Sequence, residues 1–128
     1  MNTMRRKYIV VLLMILAPQF GAAGEVDKTN WVNAIHNSIP NNECGESGFF
    51  SSCYSLTQDQ CKIEMKKIAV QCTDSQVGEM PEKLVLPGKD QKWTEMAVNC
   101  MYKNYTEKFS SKLIQEQGCK DAVKLIVK

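Results

Sequence analysis

Six cysteines in a chain of 128 residues, all of them C-terminal to an apolar leader, limit the ways this protein can fold. The leader reads in order as Arg5, Arg6 and Lys7, an apolar run from Tyr8 to Ala17, Pro18, and the small residues Gly21, Ala22, Ala23 and Gly24. A basic end, a short apolar core and a small-residue cleavage site make a secretory signal peptide. The run is about 10 residues, half of the roughly 20 that span a bilayer, so a retained membrane helix is not expected. Residues 1–24 are read as the signal peptide, with cleavage after Gly24 preferred over Ala23, and 25–128 as the exported domain. The Arg5-Arg6 pair alone is thin support for a twin-arginine route. No cysteine follows the apolar core before Cys44, so a lipid anchor at the cleavage site has no attachment point. No stable membrane insertion is expected after cleavage, and the protein should be periplasmic or extracellular.

In that setting Cys44, Cys53, Cys61, Cys72, Cys100 and Cys119 read as three disulfides. Zinc would need a different arrangement: no C-x2-C pair occurs, and the one histidine, His36, lies far from the cysteines in sequence. No metal and no cofactor are expected.

The helical pattern restricts the pairing. Thr57 followed by Gln60 forms a capping box, with Leu56 and Cys61 placed as a hydrophobic staple. Beyond it Cys61, Met65, Ile68 and Cys72 make one stripe of an amphipathic helix, and Lys62, Glu64, Lys66 and Lys67 point away as a solvated face. A longer helix is expected from Gln91 to Gln117, after Asp90 and ending at Gly118. Its ridge is Ala97, Met101, Tyr105, Phe109 and Leu113, flanked by Trp93, Met96 and Cys100. A short helix from Lys28 to Ile39 would present Trp31, Val32, Ile35 and Ile39 and stop at Pro40. Thr73 to Lys89 reads as a long connection, and Lys120 to Val127 as a last turn or two packing Val123, Leu125 and Ile126. Cys61 and Cys72 would then be about 16 Å apart along one helix, and Cys100 and Cys119 nearly twice that. A disulfide needs Cα atoms within about 7 Å, which excludes both pairs and leaves ten of the fifteen pairings open. The expected fold is all-α: a small disulfide-stapled helical domain of three to four helices.

The segment Gly48-Phe49-Phe50-Ser51-Ser52-Cys53, then Cys61 and Cys72, has the pattern GFF-x2-C-x7-C-x10-C, and Gln91-Lys92-Trp93 precedes Cys100 as QKW-x6-C. Over roughly residues 44–109 this resembles small exported cysteine-rich proteins of Gram-negative bacteria. The resemblance implies export and a shared disulfide-held fold, and brings no activity with it. Saposin-like chains open with C-x2-C and insect odorant-binding proteins carry C-x3-C; neither spacing occurs here.

Charge excludes one broad class of partner. The leader holds three of the 16 basic residues, leaving 13 against 14 acidic ones and a net charge of −1. Both arginines fall in the leader, so the exported part has no side chain suited to bidentate phosphate or guanine recognition. Nucleic acid is not an expected partner.

Catalytic patterns are sparse. Gly45-Glu46-Ser47-Gly48 echoes the surroundings of a serine nucleophile, but such a site needs a base and a carboxylate behind it, and His36 is the sole imidazole. A turn ahead of the aromatic pair explains it as well. The 14 carboxylates offer no pair with glycosidase spacing. No Gly-rich phosphate loop, EF-hand loop or H-E-x-x-H occurs. Asn104-Tyr105-Thr106 falls inside the expected long helix and is read as incidental. Phe49, Phe50 and Tyr54 cluster on a Gly/Ser-rich segment held at Cys44 and Cys53. They suit a contact with another protein or a hydrophobic plug over the helix stripe, and the plug is preferred. The expected function is therefore a non-enzymatic exported protein that binds an envelope or extracellular protein, as inhibitor, immunity-type partner or accessory factor. A carrier of a small apolar ligand along the Met/aromatic stripe and a secreted hydrolase are the alternatives.

Overall fold

In the computed structural model, which describes residues 24–127, the capping box at Thr57 starts the longest helix. The Thr57 hydroxyl accepts from the Gln60 amide at 3.1 Å, and the Gln60 side chain accepts from the Thr57 amide at 3.0 Å. The chain order is β1 (Gly24–Asp27), α1 (Lys28–Glu43), α2 (Phe49–Cys53), α3 (Gln58–Val77), β2 (Lys83–Leu86), α4 (Gln91–Lys108), a 3-10 turn (Ser110–Lys112) and α5 (Gln117–Ile126). The protein is a small, mostly helical domain stapled by three disulfides, with a two-stranded ribbon as its only sheet among the described residues. Apart from Gly24, the expected signal peptide lies outside the described residues.

The stripe expected on α3 is buried: Cys61, Met65, Ile68 and Cys72 all face the core, with Ala69, Thr73 and Gln76 continuing it. The helix runs on to Val77, five residues past the stripe. It packs between α1 and α4. From α1 come Trp31, Ala34, Ile35 and Ile39; from α4 come Trp93, Ala97, Val98, Met101 and Tyr105. The indole of Trp31, fully buried, donates to the Thr94 hydroxyl at 3.0 Å and so ties α1 to α4 inside the core without leaving its N–H unpaired.

Four sequence expectations are corrected. Pro40 does not stop α1; it sits within the helix, which ends at Glu43. Proline removes one amide donor and constrains the residue before it, while the following residues remain free to stay helical. Here Cys44 donates back to the Pro40 carbonyl at 3.0 Å and is anchored to α3 by its disulfide. The long helix to Gln117 breaks at Lys108, so Phe109 and Leu113 leave the ridge. Beyond the break the chain pairs elsewhere: Ser55 donates to Lys112 at 2.9 Å and Ile114 to Cys53 at 2.8 Å, around a bridge between Tyr54 and Leu113. Gly118 accordingly lies in the first turn of α5 instead of ending α4. Finally, the connection from Thr73 to Lys89 is in part ordered structure, since Lys83–Leu86 forms β2 against β1.

The ribbon is antiparallel, with Gly24 opposite Leu86 and Asp27 opposite Lys83. Val26, Leu84 and Leu86 turn inward, and Glu25 and Asp27 outward. On its far side the amide of Val85 donates to Asp90 Oδ2 at 2.7 Å.

The disulfides are Cys44–Cys61, Cys53–Cys119 and Cys72–Cys100. Neither excluded pair forms. The bonds join α1's end to α3, α2 to α5, and α3 to α4.

Candidate functional site

The segment between Cys44 and Cys53 is fixed at both ends, because its two cysteines bond to different elements. Ser51 donates to the carbonyls of Gly45 and Gly48 and tightens the turn between them. Gly48 is held against the end of α1 so closely that a Cβ there would lie 2.2 Å from the Glu43 carbonyl oxygen. Only glycine permits that approach. It starts α2 with Phe49 and Phe50, and delivers Phe50 onto Tyr102 and Tyr105 of α4.

Phe50, with 0% exposure, is the hub of an aromatic cluster. Its ring lies 4.9 Å from Phe49, 5.7 Å from Tyr54, 5.1 Å from Tyr102 and 4.6 Å from Tyr105. Tyr105 extends the cluster to Phe109 at 4.7 Å. Edge-to-face contacts of this kind add to what area burial supplies. Of the three residues named in the sequence as a possible contact, Phe50 and Tyr54 are buried and Phe49 is partly exposed. The exposed margin of the cluster is thus Phe49 with Tyr102 and Phe109, each half-buried.

Beneath that margin lies a buried acid. Glu43, 8% exposed, ends α1, where the helix dipole disfavours a carboxylate. Burial pushes its carboxyl above the usual range, and a hydrogen bond with the Tyr102 side chain offsets part of that. Burial likewise raises the Tyr54 phenol to about 12. Tyr105 moves the same way, chiefly through burial, with Tyr54 and Glu64 adding to it.

Glu43 and Tyr102 were not singled out in the sequence. A carboxylate at the last position of a helix, next to a bonded cysteine, was the available signal. Expecting α1 to end at Pro40 concealed it.

The other sequence candidates are placed as follows. His36 is half-buried at the α1–α3 contact, its Nε2 2.7 Å from the Thr73 hydroxyl. Ser47 is exposed on the turn. Ala97, Met101 and Tyr105 of the stripe are each 0% exposed, while Met96 is exposed. On the charged face of α3, Glu64 pairs with Lys108 at 2.8 Å and Lys67 at 3.3 Å. The Lys108 hydrogen bond leads in holding its carboxyl below the usual range.

Among the described residues two carboxylates are buried, Glu43 and Asp90. Glu43 meets Tyr102 on α4, and Asp90 precedes that helix, about 18 Å of helix from Tyr102. Paired glycosidase carboxyls sit roughly 5–9.5 Å apart. No group of three or more His, Cys, Asp or Glu side chains is arranged to hold a metal among the described residues. No described helix is long and apolar enough to cross a membrane.

Compared with protein-family models, curated proteins and solved structures, the chain matches none of them.

Proposed function

We propose that this is a small exported protein that acts by binding another envelope or extracellular protein, as an inhibitor, immunity-type partner or accessory factor, without chemistry of its own. Three disulfides and no free cysteine among the described residues fit an oxidising compartment. The observation that best supports binding is the double tether of residues 45–52, which holds Phe49 against Phe50 at a fixed angle. A contact side chain already held in place loses little conformational entropy on association. The apolar-carrier reading has less support, because the stripe residues that would line a cavity are packed into the core. The hydrolase reading has less support too, because the two buried carboxylates among the described residues, Glu43 and Asp90, lie at different ends of α4.

A photo-crosslinking side chain placed at position 49, and separately at Thr29 near the opposite end of α1, tests the proposal in a Gram-negative host. The expected result is one discrete adduct from position 49, competed by unmodified protein but not by Phe49→Ala, and absent from position 29. Failure to obtain a competed adduct from position 49 would sink it.

A further inference from the structure

The ribbon carries information about where the export segment ends. The Lys28 amide donates to the Glu82 carbonyl at 2.8 Å, directly after the strand pairing of Asp27 with Lys83. In an antiparallel ladder, facing residues exchange both of their hydrogen bonds at every second pair. Stepping from Lys28 and Glu82, the exchanging pairs are Val26 with Leu84 and Gly24 with Leu86. The Val85 amide turns outward to Asp90 at 2.7 Å, as a residue of the intervening pair must. Gly24 therefore serves both backbone polar groups of Leu86, a residue only 7% exposed.

The small residues at 21–24 permit two cuts. Breaking the chain after Ala23 puts Gly21 and Ala23 at the positions a signal peptidase reads; breaking it after Gly24 puts Ala22 and Gly24 there. The two products differ in the ribbon. Without Gly24, Leu86 loses the partner of both its amide and its carbonyl, and the strand begins at Glu25. Two-stranded ribbons are marginal structures, so loss of a terminal rung matters.

We infer that processing occurs at the Ala23–Gly24 bond, making Gly24 the first residue of the exported protein and the closing rung of its ribbon. This rests on the export reading above and moves its boundary by one residue. Water is the co-reactant: its oxygen adds to the Ala23 carbonyl carbon and the C–N bond breaks. Ala23 leaves as a carboxylate on the export segment, and Gly24 nitrogen takes up the protons as an ammonium group. That group still donates to the Leu86 carbonyl, so both bonds of the rung survive the cut.

The full chain is expressed in a Gram-negative host, and the protein recovered outside the cytoplasm is sequenced from its N-terminus. Gly-Glu-Val is the expected start. A start at Glu-Val-Asp overturns the inference and leaves export standing. Recovery only of chain beginning at Met1 overturns the export reading itself. Hydrogen exchange at the Leu86 amide supplies the second measurement, in chains beginning at Gly24 and at Glu25. Exchange should be roughly tenfold faster in the shorter chain. Equal rates would remove the structural reason for the assignment.

Discussion

His36 Nε2 donates to the Thr73 hydroxyl at 2.7 Å, bridging α1 and α3 beside the Lys66 to Asn37 hydrogen bond between the same two helices. The direction follows from Thr73, whose single hydroxyl hydrogen has two acceptors on its own helix, the Ala69 and Val70 carbonyls at 2.9 and 3.1 Å. The bond therefore holds the ring in one orientation between the two helices.

Burial lowers the His36 pKa below 6.5, Asp74 opposes that shift and Lys66 adds to it. The folded protein then binds this proton less readily than the unfolded chain does. Stability is expected to be full above about pH 6.5 and to fall as pH drops through that value toward the lower folded one. Thr73→Val should cost roughly 1–3 kcal/mol, because it leaves the ring N–H facing a methyl group. Denaturant titrations at several pH values check both outcomes. A pH response between 7 and 5 that is the same in the native protein and in His36→Gln would contradict the first, and an unchanged midpoint for Thr73→Val would contradict the second.

Glu43 works in the opposite sense. Its carboxyl is raised above 4.5 by burial, so the folded state holds that proton more tightly than the unfolded chain. Stability contributed by the neutral acid is present below about pH 4.5 and is lost as pH rises through the raised folded value. Glu43→Gln keeps a group that can bond Tyr102 and has no charge to bury. The variant should be more stable than the native protein at pH 7 and should lose the part of the pH dependence above 4.5. Chemical denaturation at pH 4 and pH 7 tests it, and a Gln variant less stable than the native protein at pH 7 would refute the assignment.

Two glycines make a matched pair. A methyl group at Gly48 meets the Glu43 carbonyl, which is backbone and cannot turn aside, whereas one at Gly118 meets nothing within 4 Å. Gly48→Ala should lower stability by roughly 1–3 kcal/mol, in the range of an overpacked core site. Gly118→Ala lies in the first turn of α5 and should be neutral or stabilising by up to about 1 kcal/mol. Thermal melts of the two variants side by side decide it; equal melting temperatures would argue against the close approach at Gly48.

The three disulfides should not open together. Cys44 and Cys61 are each 0% exposed, Cys53 and Cys119 are 8% and 6%, and Cys72 is 1%, while Cys100 is partly exposed. A thiolate must reach a sulfur to attack it, so the bond between Cys72 and Cys100 is expected to open first, by attack at Cys100. Brief treatment with thiol under native conditions, alkylation and peptide mapping would show this order. First opening at Cys44–Cys61 would contradict the burial pattern.

Much of α3 is legible in the sequence because its causes are local: Thr57 and Gln60 cap each other, and the stripe from Cys61 to Cys72 repeats within one helix. The exclusion of bonds between Cys61 and Cys72, and between Cys100 and Cys119, survives because helices separate the residues of each pair. The elements misread are those decided by distant partners. The break after Lys108 depends on backbone pairing with Cys53 and Ser55, far away along the chain. The ribbon depends on Gly24–Asp27, four residues overlapping the end of an export address, where no strand pattern stands out. The aromatic trio is legible as a plug, and Phe50 and Tyr54 are buried as that reading expects; the part played by Tyr102, which meets Phe50 from α4, is not. Glu43 was hidden for the same reason: its setting is assembled by α2 and α4, and nothing adjacent in sequence marks it as buried.

The Asp90 carboxylate on the Val85 amide also bears on how the molecule behaves at high concentration. An unpaired strand margin is a template on which further chains can add. Asp90 occupies the Val85 donor on the outer margin of β2, and on β1 Glu25, paired with Lys83 at 3.9 Å, and Asp27 are exposed carboxylates. A short ribbon left open on both sides would invite edge-to-edge pairing; a carboxylate bonded on one margin and two more exposed on the neighbouring strand oppose it.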